Sequence, residues 1–265
     1  MLESLPEYLL ERTRSHREGL AAEANSDNRF VLYWMRTAVR CEENPALDVA
    51  RLIADRKGLP LLVYHAISEH YEYASDRHHT FMLQGARAVQ RQCAELGLSY
   101  AFHLATGDDR QPHLVTVANM ASVIVTEDMP VDPPRRFLKA LKAKTTTPVV
   151  CVDTACVAPM QLVKKPFTRA FKFRSATNKI YAERLTRAWP ELHVETKPFD
   201  LKQLPFGPVD LQAADLASLV VQCEIDHSIG PVVDSIGGSA AGYQRWNTFK
   251  DKRLRLYVQL WPSTS

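Results

Sequence analysis

The chain has 265 residues, of which 46% are hydrophobic, and a formal net charge of +3. That much apolar material fills one large core and begins a second, which excludes a disordered chain, and so small a charge excludes a globally polycationic nucleic-acid binder. Five cysteines, Cys41, Cys93, Cys151, Cys156 and Cys223, are odd in number and sit in apolar segments, as reduced thiols in the interior do. The N-terminal extension, 1–28, opens MLESLPEYLLERTRSHREGL, where acids and arginines break every apolar run; this is not the core of a signal peptide. No stretch reaches the roughly 20 apolar residues of a membrane span. A cytoplasmic protein with no membrane partner is expected.

From residue 29 to 160, short apolar runs alternate with amphipathic segments five times, the pattern of an α/β fold with a five-stranded, parallel, doubly wound (Rossmann-like) sheet. The predicted strands are FVLYWM (30–35), LPLLVYHA (59–66), SYAFHLA (99–105), SVIVTE (122–127) and PVVCVD (148–153). Asn44 is placed to cap a helix that has Pro45 at its first position and ends at Gly58. In the helix over 77–96, Met82, Ala86, Val89, Cys93 and Leu96 form one apolar stripe. Further helices are expected near 111–120 and 133–144, the second opened by Asp132 and Pro133. A basic helix and linker follow over 161–207, where Pro190, Pro198, Pro205 and Pro208 mark the end of periodicity. Residues 208–265 supply a helix near 208–221 and a terminal helix opened by Gly-Gly-Ser.

Ligands of parallel sheets bind outside the carboxyl ends of the strands, so the turn after the first strand is the natural candidate site. Trp34 suits a planar ring, and Arg36 and Arg40 suit an anion. With Met35 and His65 they make up the expected pocket. Each also has a plainer reading, the apolar residues as core and the arginines as paired or solvated. His65 and His103 lie in apolar strands and read as core histidines; His78 and His79 read as polar first-turn residues. There is no GxGxxG after a strand, no GxxxxGK[ST], no GxSxG and no HExxH. Cys151 and Cys156 lack ligand spacing, so no metal is expected. The stretch from Lys164 to Arg187 holds eight Lys or Arg against one Glu, interleaved with Phe167, Phe171, Phe173 and Tyr181. Lys164, Lys165, Arg169, Lys172 and Arg174 are the candidates for facing DNA. The competing expectation is an amphipathic helix whose aromatics dock on the sheet domain.

Several of these segments together resemble one family. A strand ending YWM, followed by Arg36, Arg40 and then Asn44-Pro45-Ala46-Leu47, resembles the N-terminal domain of class II cyclobutane-pyrimidine-dimer photolyases, as do GLPLLVYHAI, RHHTFMLQG and the Gly-Gly-Ser-Ala-Ala-Gly-Tyr-x-x-Trp run. The resemblance implies light-driven repair of DNA by electron transfer from reduced FAD, an α/β domain able to carry a deazaflavin-type antenna chromophore, and DNA as partner. It also implies that the flavin lies in a helical domain after the linker. Only the start of such a domain is expected over 208–265, so FAD binding and repair are not expected of this chain alone. A separate flavin-domain chain, or self-association through the terminal helix with its stripe of Trp246, Phe249, Leu256 and Leu260, would then complete it. The alternative is a stand-alone α/β module that binds a chromophore or a nucleotide.

Overall fold

The structure is a computed structural model that describes residues 2–15, 30–107, 109–111, 113–163 and 165–256. Its sheet contains β1 (Thr13–Ser15), β2 (Val31–Met35), β3 (Pro60–Ser68), β4 (Ser99–Ala105), β5 (Val123–Glu127), β6 (Val149–Val152) and β7 (Lys197–Pro198). The five expected strands form its parallel body in the order β6-β5-β2-β3-β4. β1 joins β6 antiparallel at one edge, and β7 adds a short parallel pairing to the start of β3. Strand order reverses between β2 and β5, which makes that gap the switch point of the sheet.

The helices are α1 (Glu7–Leu10), α2 (Pro45–Lys57), α3 (Asp76–Glu95), α4 (Leu114–Met120), α5 (Pro134–Lys144), α6 (Ala170–Leu185), α7 (Leu216–Val221) and α8 (Ser239–Lys252). α2 and α3 cover one face of the sheet, where Val31, Tyr33, Met35, Val63 and Phe102 point. α4 and α5 cover the other, over Leu32, Trp34, Leu62, Tyr64 and Ile124. The period of two along each strand thus feeds two cores, and β2 and β5 are buried at every position.

Local signals operate as the residues dictate. Asn44 Oδ1 accepts from the Ala46 and Leu47 amides, at 3.1 Å each, and Gly58 ends α2 at φ 62°. On α3, Ala86, Val89 and Cys93 are buried as expected and Leu83 joins them. Leu96 does not: it caps the helix 45% exposed, and after Gly97 at φ 67° it is Leu98 that enters the core. α5 is capped one residue later than expected, by Pro133, while Asp132 pairs with Arg135 at 3.2 Å. His79 is buried, stacked on Tyr71 at 5.7 Å between centroids, because the first turn of α3 is itself covered. All five cysteines are free thiols, and Cys41 Sγ lies 3.5 Å from Cys93 Sγ.

The flanking segments wrap the same sheet. Leu5 and Leu9 enter the core beneath α2 and α3; Phe199 and Phe206, from the proline-rich stretch, enter the opposite core; Leu211, Leu216, Val220 and Cys223 return to the first. No helix among the described residues is long and apolar enough to cross a membrane.

Candidate functional site

At the switch point the carboxyl ends of β2 and β5 are filled by protein groups. Glu127, fully buried at the end of β5, accepts from Tyr33 Oη at 2.7 Å and from the Arg36 amide at 3.0 and 3.1 Å. The Arg36 side chain, 8% exposed, lies 3.4 Å from the same carboxylate. Its remaining donors reach Thr126 Oγ1 at 3.1 Å, the Pro134 carbonyl at 2.8 Å and the Glu127 carbonyl. The guanidinium also sits 4.5 Å from the centre of the Trp34 ring. Burial and the Glu127 charge hold the Tyr33 hydroxyl well above its usual range, so it stays a donor.

The five expected pocket residues therefore do not converge. Trp34 and Met35 are adjacent in a strand and point to opposite faces. His65 pairs in register with Met35 and shares its face, packed on Phe102 at 5.4 Å with Nδ1 2.7 Å from Tyr100 Oη. Burial pushes its pKa down to about 4, so the ring is a neutral core group. Arg36 is committed to Glu127. Arg40 borders a cleft.

That cleft, of about 820 Å³, opens at the carboxyl edge beside the switch point. Its floor is the N-terminus of α2 and the turn after β6; its walls are α1, Arg12 and the end of α6 with Trp189. Arg40 reaches in from the loop before α2, donating to the carbonyls of Glu43 at 3.2 Å and Thr154 at 3.3 Å. Arg12 lies 5.3 Å over Trp189 and is pinned to the Asp153 and Cys156 carbonyls at 3.0 and 3.2 Å. Arg184 pairs with Glu11 across the cleft, and Arg187 stands exposed at its mouth. Glu7, Glu11, Glu43 and Glu183 line the cleft beside Arg12, Arg40, Arg184 and Arg187, and the first amides of α2 are taken by Asn44, so what the cleft offers a ligand with a planar ring and an anionic group is Trp189 with Arg40 and Arg187. The neighbouring cleft beyond Trp189 is lined by Glu42, Glu43, Asp48, Glu95, Glu191 and Glu195, a lining that repels anions. Arg12, Trp189 and Glu127 were not singled out from the sequence. For Glu127 a signal existed, an acid closing the apolar run SVIVTE; Arg12 and Trp189 meet only in the fold.

The second expected surface is intact as a surface. Lys165, Arg169, Lys172 and Arg174 are all exposed along the start of α6, while Lys164 lies outside the described residues. Phe171 and Phe173 are 60% and 41% exposed, while Phe167 and Tyr181 are half-buried, so the aromatics of the amphipathic reading divide between solvent and the covered side. α6 turns one narrow face inward, with Thr177 buried and Ile180, Tyr181 and Arg184 half-buried, and Arg184 pairs with Glu11 at its far end.

The family model for DNA photolyase matches residues 31–194, the parallel body of the sheet from β2 to β6 with α2 to α6. The chain belongs to the DNA photolyase family. Among curated photolyases, it is 26% identical to the deoxyribodipyrimidine photo-lyase of Methanothermobacter thermautotrophicus over 133 residues, covering 50% of this chain and 29% of that protein. It is 24% identical to that of Potorous tridactylus and 27% identical to that of Arabidopsis thaliana, covering 86% of this chain and 41% and 46% of theirs. The chain thus spans less than half the length of these photolyases. A solved archaeal photolyase from Sulfolobus tokodaii, which holds two FAD molecules, matches 74% of this chain and 42% of its own at 12% identity, with a TM-score of 0.45.

Proposed function

We propose that this chain supplies the α/β, chromophore-carrying part of a class II cyclobutane-pyrimidine-dimer photolyase, with residues 29–160 as its body. The observation that supports this reading is how two of the resembling segments meet. Gly237 and Gly238, of the Gly-Gly-Ser run, lie on α3 at its RHHTFMLQG segment: the Gly237 amide donates to Gln84 Oε1 at 2.8 Å, and a Cβ on Gly237 would stand 2.1 Å from the Phe81 carbonyl. Segments that resemble the class in sequence are thus each other's packing partners.

In this reading the cleft at Arg40 takes an antenna chromophore of the deazaflavin type. When bound, such a group supplies absorbed light energy to a flavin. Arg40 and Arg187 would hold its anionic end, and Trp189 its ring. The cleft volume lies within the roughly 300–1,000 Å³ of small-molecule sites. Leu211, Leu216, Val220 and Cys223 pack back on the core beside α3, α8 buries none of its residues, and the cleft lined by Tyr71, Phe81, Met82 and Val232 measures about 260 Å³, below the range of small-molecule sites. Dimer cleavage needs a flavin held close to the lesion, so these 265 residues alone are proposed to be inactive in repair. The basic start of α6 is proposed to face DNA, and the cytoplasm is the proposed location. The cleft equally supports the alternative of a stand-alone chromophore- or nucleotide-binding module.

The trial is illumination of dimer-containing DNA with the 265-residue chain, reduced FAD and a deazaflavin. The expected result is bound deazaflavin in the absorption spectrum, weakened about tenfold by Arg40→Ala, loss of one charge-assisted contact, with no repair above a no-protein control. Repair above that control overturns the inactive reading. Equal affinity in Arg40→Ala, or no binding, removes the antenna site.

A further inference from the structure

The loop that leaves β4 gathers a group of side chains that the photolyase reading leaves unused. His103 lies in β4, Asp109 in the loop and His113 at the start of α4. Their ligating atoms all lie within 4.8 Å of one another, and among the described residues no other trio of His, Cys, Asp or Glu side chains does this. His103 Nε2 is 3.4 Å from Asp109 Oδ2, and His113 Nε2 is 2.7 Å from Asp109 Oδ1. A tetrahedral zinc ion with bonds of about 2.0–2.1 Å sets its ligand atoms roughly 3.4 Å apart. One of these separations already has that value. The other contact runs to the second oxygen of the carboxylate, so the half-exposed aspartate turns to bring one oxygen to an ion held by both imidazoles.

Two further features suit a metal. His103 is 2% exposed and its Nδ1 lies 3.4 Å from Tyr64 Oη, a partner that orients the ring with Nε2 toward Asp109. Phe206 packs on both imidazoles, at 5.1 and 4.8 Å between centroids, and forms an apolar wall behind them. Asp109 and His113 remain reachable from solvent, with side chains 51% and 15% exposed. Two imidazoles and one carboxylate are a borderline-soft donor set, which late divalent metals prefer over magnesium or calcium.

We propose that His103, Asp109 and His113 bind a zinc ion, with water at the fourth position, clipping the loop after β4 to the sheet and to α4. The ion would replace the present contacts of both Nε2 atoms with the aspartate, including that of His103 Nε2 with the Asp109 carbonyl at 3.1 Å. The competing account is a carboxylate shared by two imidazoles with no affinity for metal.

The whole chain, stripped with a chelator, is titrated with Zn²⁺ against a chromogenic competitor and with Co²⁺ by visible absorption. Expected are one equivalent of Zn²⁺, the intense bands of four-coordinate Co²⁺, and a higher Tm with metal. His113→Ala and Asp109→Asn, changes at reachable positions, should each weaken binding at least about tenfold, the scale of losing a ligand or its support. They should also abolish the rise in Tm. No uptake by the parent chain, or equal uptake by either variant, overturns the site.

Discussion

At the end of β2, Arg36 spends its guanidinium on two carbonyls, a hydroxyl and the buried Glu127 carboxylate. Removing one member of a buried ion pair strands the other, which costs on the order of 3–5 kcal/mol. The residue-36 amide, shared between both carboxylate oxygens, and Tyr33 remain on Glu127, so Arg36→Ala is expected near the low end, about 3 kcal/mol by urea unfolding. Adding Glu127→Gln should recover part of that loss; strict additivity would mean the two groups are not coupled. His65 makes a different prediction, on pH. Its pKa in the fold is lowered to about 4 by burial. An unfolded histidine titrates near 6.5, so the unfolded state binds the proton first, and stability present above about 6.5 is lost as pH falls toward 4. Between pH 7.5 and 5.0 the His65 share of that loss is about 2 kcal/mol. His65→Gln, which keeps a partner for Tyr100 and does not titrate, should lose about that much less over the same interval. An unchanged acid slope would show that His65 is not the group responsible.

Elements meet through small residues where backbones approach. Gly85 of α3 lies against Gly238, and a Cβ on Gly237 would overlap the Phe81 carbonyl at 2.1 Å, a contact that no rotamer relieves. Gly237→Ala is therefore expected to lift the 230–238 turn from α3 while leaving the sheet folded. Hydrogen exchange should then rise in the first half of α3, with β2 and β5 unchanged. Protection equal to that of the parent in α3 would show that this contact does not hold the turn. The element-scale signals were the most legible ones in the sequence. Asn44, Pro45 and Gly58 bound α2 as read, because a cap acts through amides two or three residues away. Leu96 was misjudged by the same periodicity, since the stripe has no means of telling that Gly97 ends the helix first.

Across the whole molecule, the exposed base of α6 concentrates Lys165, Arg169, Lys172 and Arg174 with Phe171 and Phe173. Each phosphate contact contributes about 0.9 to the slope of log K against log salt on duplex DNA. Reversing these four charges to glutamate should reduce the slope by up to about 4, read by fluorescence anisotropy on a short duplex. A slope equal to that of the parent would place the DNA-facing surface elsewhere.

By itself the sequence determined the five parallel strands, their doubly covered sheet, most helix ends and the family, because period, caps and short motifs act over a few residues. It also determined that the start of α6 is basic. Only the tertiary structure decided what those residues face. Trp34 and His65, read as neighbours at one edge, are turned to opposite faces by strand alternation, and Arg36 is taken up by Glu127 from 91 residues away. The Arg40 cleft is walled by Arg12 and Trp189, and His103 meets Asp109 and His113 across a loop. Such juxtapositions depend on strand order and on which segment covers which edge, terms set by the packing of the whole chain and not by any local stretch of it.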